Sequence, residues 1–160
     1  MTDFPAMLQA LDEYHVEYIV VGGAAATAHG AARLTLDLDI VYRRTRENIT
    51  RLVASLAPHQ PYLRGAPPGL PFRWDAETVQ RGLNFTLATA VGPLDVLGEI
   101  TGGGGYDALV SRSQTLTLFG VACRCLSLEQ LIVVKRAAGR PKDLEALAEL
   151  EAIAEERRNL

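Results

Sequence analysis

The sequence predicts a mixed α/β (α+β) fold, a small mixed β-sheet with helices packed mainly on one face. Three neighbouring stretches carry that reading. Residues 18–21, Tyr-Ile-Val-Val, are an apolar run the length of a buried strand. Residues 24–28 are small and of good helix propensity, and Gly30 suits the position that ends a helix. Residues 33–42 then alternate, with Leu34, Leu36, Leu38 and Ile40 on one face and Thr35, Asp37, Asp39 and Val41 on the other. Period two over that length predicts a strand with one apolar face.

In chain order, Phe4, Met7, Leu8 and Leu11 make a helical stripe over residues 4–15. A first strand is expected at 16–21, a short helix at 23–29 and a second strand at 34–42. Thr45 is an N-cap for a helix carrying Ile49, Leu52, Val53 and Leu56, which Pro58 ends. Prolines and glycines across 61–71 predict a loop able to border a substrate cleft. Residues 72–78 fit no single element. Strands follow at 83–90 and 94–97, separated by the Val91-Gly92-Pro93 turn. The glycine run 102–105 reads as flexible and 106–110 as a helical turn. Residues 115–118 and 121–126 flank Phe119-Gly120 as a hairpin. Ser127 caps a helix to Arg136, with Glu129 early and Lys135 late, the charge order the helix dipole favours. A last helix runs over about 142–157.

A chain of 160 residues suits one domain with a sizeable core, expected to span 1–160 with terminal helices from about 127 onward. A net charge of -3 gives no global basic field of the kind that attracts nucleic acid. No apolar run reaches the length of a membrane span, and Met-Thr-Asp-Phe-Pro lacks the basic start and apolar core of an export signal. A cytoplasmic location and no membrane partner are therefore expected. Cys123 and Cys125 are expected as reduced strand residues pointing to opposite faces, a poor geometry for a mutual disulfide.

The chemistry concentrates at two points of the first unit. Asp37 and Asp39 put two carboxylates on one strand face, about 7 Å apart. Like charges so placed repel and raise each other's pKa. Arg or Lys partners would answer this structurally; a hard divalent cation such as Mg²⁺ would answer it functionally. The Gly22-Gly23 turn before a helix lets a phosphate approach backbone donors.

Gly22-Gly23 followed by Thr35-Leu-Asp37-Leu-Asp39 resembles the signature of the nucleotidyltransferase superfamily of DNA polymerase β. The small bacterial members are the nearest in pattern: AbiEii-type toxins, minimal nucleotidyltransferases and antibiotic-modifying ones. The resemblance implies transfer of a nucleoside monophosphate from a nucleoside triphosphate to a hydroxyl-bearing acceptor, with release of pyrophosphate. It implies two Mg²⁺ ions held by Asp37, Asp39 and a third acid. It also implies acceptors such as tRNA, protein or a small molecule, and a toxin role with an antitoxin partner. A catalytically inactive nucleotide-binding or regulatory module and an antibiotic-modifying enzyme are the alternatives.

Asp95, inside the apolar run Leu94-Asp-Val-Leu97, matches the family's third acid and is expected to ligate the metal that activates the acceptor. Its alternative is a turn cap after Pro93, and Glu99 competes if the register shifts. The segment from Lys135 through Arg140 to Lys142-Asp143 resembles the family's basic motif near the nucleotide phosphates, and cations there suit a triphosphate. Arg33 is a further candidate, for a phosphate or for Asp37. His29 is expected to be a partly buried capping residue rather than a catalytic one.

Overall fold

The computed structural model describes residues 2–160. Its frame is a seven-stranded sheet in the order β3-β4-β5-β2-β1-β9-β8 among the described residues. The strands are β1 (Tyr18–Val21), β2 (Leu38–Tyr42), β3 (Tyr62–Leu63), β4 (Asn84–Thr89), β5 (Gly92–Leu97), β8 (Ser113–Leu118) and β9 (Val121–Leu126). Two more, β6 (Glu99–Ile100) and β7 (Gly104–Gly105), form a separate small hairpin. β2 runs parallel to β5 and β1 parallel to β9; the other pairings are antiparallel.

Seven helices frame the sheet among the described residues: α1 (Phe4–Glu13), α2 (Gly22–Ala28), α3 (Arg46–Leu56), α4 (Ala76–Arg81), α5 (Tyr106–Leu109), α6 (Leu128–Ala138) and α7 (Pro141–Arg158). α3 packs on both α1 and α4, whereas α6 packs on both α2 and α7. The start signals read from the sequence are the ones used. Thr45 Oγ1 accepts from the Asn48 N–H at 3.2 Å, and Ser127 Oγ accepts from the Gln130 N–H at 3.2 Å. Leu38, Ile40, Leu94 and Val96 are fully buried at the sheet centre. Burying a side chain of this size contributes about 1.5–3 kcal/mol. Asp39 and Asp95 are the residues between them in the alternation, so they take the opposite face.

Three expectations need correction. The second strand begins at Leu38, not Leu34, and Leu34 and Leu36 are 86% and 63% exposed. β1 pairs with β2 over residues 39–42 and β5 pairs with it from Leu38 onward, so nothing extends the ladder back over 34–37. The glycine run contains β7, paired to Glu99–Ile100, and so is partly regular. The cysteines share a face: residues two apart on a strand point the same way. Their Sγ atoms lie 3.8 Å apart, both buried and unbridged.

The ambiguous stretch resolves as a tether followed by α4. Trp74 Nε1 donates to the Val53 carbonyl at 3.1 Å, and its ring meets Phe85 edge-on. The proline loop is anchored at its start and folds back onto it. Its residues Tyr62 and Leu63 pair with Ala88 and Leu87 as β3, and the Tyr62 hydroxyl donates to the Pro67 carbonyl at 2.6 Å.

Candidate active site

Strand register builds the centre. Val21 pairs with Asp39, Asp39 with Asp95, and Asp95 with Thr86, so these four residues form one row across β1, β2, β5 and β4. Neighbouring strands lie about 4.8 Å apart, which brings the Asp39 and Asp95 side chains together on one face. Asp37 stands just before β2, where its carbonyl accepts from the Thr35 hydroxyl at 3.1 Å. Asp95, rather than Glu99, is the acid in register; Glu99 lies on β6 beside the adjoining cleft.

Val21 leads directly into Gly22, which opens α2 with φ +65°. A Cβ there would stand 2.3 Å from Asp39 Oδ2. Glycine is thus required twice over, by the left-handed backbone and by the carboxylate that comes against it. A Cβ at Gly23 would stand 2.9 Å from Thr35 Oγ1. The turn and the acidic strand are therefore packed backbone to side chain.

Burial pushes the Asp39 carboxyl up to about 7, with Asp95 and then Asp37 adding to the rise and Lys135 opposing it. Asp39 Oδ1 is buried with no hydrogen-bond partner. The other two acids are held differently. Arg64, from the proline loop, donates from Nη2 to Asp95 Oδ1 at 2.7 Å, and its Nη1 lies 3.5 Å from Asp37 Oδ2. Its Nε and Nη2 also donate to the Leu87 carbonyl, at 3.2 and 2.8 Å.

A cleft of about 540 Å³ opens over this row, bordered by Gly22, Gly23, Arg33, Lys135, Arg140 and Lys142. A second cleft of about 460 Å³ adjoins it at Asp39 and Lys135 and is floored by Leu97, Ile100, Leu131 and Val134. Both volumes lie in the range of small-molecule sites. Asp143, 1% exposed, organises the basic rim: it accepts from Lys135 Nζ at 3.2 Å and from Arg140 Nε at 2.5 Å. The Arg140 contact, above all, holds its carboxyl down at about 2. Arg33 reaches α7 instead of Asp37, with Glu145 at 3.5 Å and Glu149 at 3.8 Å. The buried His29 sets its Nε2 2.8 Å from the Leu126 carbonyl, joining α2 to β9 as a structural residue does.

Solved structures supply the comparison. The lincosamide antibiotic adenylyltransferase LnuA, in its lincomycin-bound form, superposes with a TM-score of 0.60 at 16% identity over 95% of this chain and 98% of its own. ANT(2")-Ia in complex with adenylyl-2"-tobramycin gives 0.57 at 16% identity, over 98% and 95%. An antigenic nucleotidyltransferase-like protein from Paracoccidioides brasiliensis gives 0.53 at 18%, over 92% and 73%. The chain has the nucleotidyltransferase fold. No protein-family model matches it, and no curated protein matches it in sequence.

Within that fold the donor set agrees in kind with a divalent cation: three carboxylates from one face, one with an orphaned buried oxygen. Among the described residues no three acidic, His or Cys side chains close to the spacing of an assembled ion site. The guanidinium of Arg64 stands between Asp37 and Asp95. Sequence reasoning missed Arg64. Its only signal was a lone arginine in a loop already read as bordering the cleft.

Proposed function

We propose that the chain is a nucleotidyltransferase that moves a nucleoside monophosphate from a nucleoside triphosphate to a hydroxyl-bearing acceptor. The observation carrying this reading is the row Val21–Asp39–Asp95, with Gly22 packed on Asp39 and a basic rim above. In this reading Gly22 and Gly23 admit the triphosphate to the backbone of α2. Lys135, Arg140, Lys142 and Arg33 balance its charge. The acceptor oxygen bonds to the α-phosphorus, the bond to the bridging oxygen breaks, and pyrophosphate leaves. Asp95, at the end of the acidic row farthest from Gly22, receives the acceptor's proton. Asp37, Asp39 and Asp95 would hold Mg²⁺, which supplies activation of the hydroxyl and neutralisation of the leaving group.

A small acceptor suits the two clefts, and two of the structural neighbours carry antibiotic-related ligands. Lincomycin, tobramycin, tRNA and a protein extract are therefore the acceptor arms of one assay. The chain is incubated with each α-labelled nucleoside triphosphate and Mg²⁺. Mg²⁺-dependent label transfer with pyrophosphate release is expected, and D39A should lower it at least about 100-fold, the scale of losing a main transition-state contact. Equal transfer by D39A would remove Asp39 from the chemistry. Absence of transfer to every acceptor would favour a nucleotide-binding module.

A further inference from the structure

The proposed chemistry needs Asp37 and Asp95 to face a divalent cation, yet both carboxylates already share one guanidinium. Arg64 follows β3 directly, and its own N–H donates to the Thr86 carbonyl at 3.0 Å. The backbone that delivers the side chain is thus part of the sheet edge. The head group is then fixed three ways, on Leu87, Asp95 and Asp37. A guanidinium keeps its charge at any ordinary pH. It occupies the approach between two acids that would otherwise repel, and a second cation there meets like charge within a few ångströms.

We propose that Arg64 is a tethered counter-ion of the acidic row, holding Asp37 and Asp95 together until a divalent cation displaces it from Asp37. This rests on the metal-binding reading of the three carboxylates. The 3.5 Å contact to Asp37 is the looser leg and is released first. The 2.7 Å contact to Asp95 and the Leu87 carbonyl keep the side chain in reach. Arg64 is a positioning residue: it acts on the acids and so on metal affinity.

The test is Mn²⁺ uptake by the free chain, read from loss of the free-ion electron paramagnetic resonance signal, for wild type, R64Q, R64K and D39N. R64Q is expected to bind Mn²⁺ about three- to tenfold tighter, the effect of removing a competing, partly exposed ion pair. R64K keeps the charge but loses the fork on Leu87 and Asp95, and should fall between. D39N should lose uptake. Equal or weaker binding by an R64Q chain of unchanged circular dichroism, beside normal uptake by wild type, overturns this inference alone. If R64Q does not fold, R64K decides, equal affinity to wild type being the overturning result. Uptake by neither wild type nor R64Q ends the metal reading, and this inference with it.

Discussion

At the scale of single residues, Asp39 is a side chain whose surroundings disfavour its charge. Its folded carboxyl is raised above the unfolded value because burial disfavours the charge and two acids stand nearby. Between about pH 4 and pH 7 the folded chain therefore holds a proton that the unfolded chain has released. Stability from this group is complete below that window and is lost as pH rises through it. Urea midpoints of the metal-free chain should fall across that range, and D39N should fall less because its amide does not titrate. Identical slopes for the two proteins would contradict the assignment. The Asp-x-Asp pair and the Gly-Gly turn were legible in sequence because each is a short motif whose chemistry is local. Arg64 was not, since its role arises from pairing between β3 and β4 that no local pattern encodes.

At the scale of elements, the α6–α7 corner is set by one buried carboxylate. Asp143 accepts from Lys135 on α6, and from both the backbone N–H and side chain of Arg140, which caps α7. D143A should cost about 2 kcal/mol, the scale of losing charged hydrogen bonds while leaving Lys135 half-buried and unpaired. K142A, at an exposed position, should change stability by less than about 0.5 kcal/mol. Chemical denaturation of both variants compares the two. Both terminal helices were readable from their caps and breaker. The overlong second strand was not, because alternation reports a face and not a partner. Ala32 and Arg33, just before that stretch, instead tie to α7, where Glu149 accepts from the Ala32 N–H at 3.0 Å.

For the molecule as a whole, the sheet order joins distant segments at the row that matters, and the fold matches nucleotidyltransferases across nearly its full length. A ligand that binds only the folded chain raises its melting temperature by mass action. Nucleoside triphosphate with Mg²⁺ should therefore stabilise the chain, by about 2.7 kcal/mol at a hundredfold excess over Kd. Thermal scans showing no shift at saturating nucleotide would favour an interaction protein whose acidic strand serves some other partner. The class of fold could be read from strand and helix patterns alone. The strand order could not, since parallel pairing of β2 with β5 is decided only by the complete packing.

That parallel pairing has a consequence for biosynthesis. A nascent polypeptide halted before β5 leaves the ribosome owns the glycine turn, Asp37 and Asp39, with β1 beside them, but lacks Asp95 and the basic rim of α6 and α7. Under the proposed chemistry such a fragment, holding two of the three acids, is inactive whatever nucleotide surrounds it. On that reading activity waits until α6 and α7 have followed β5.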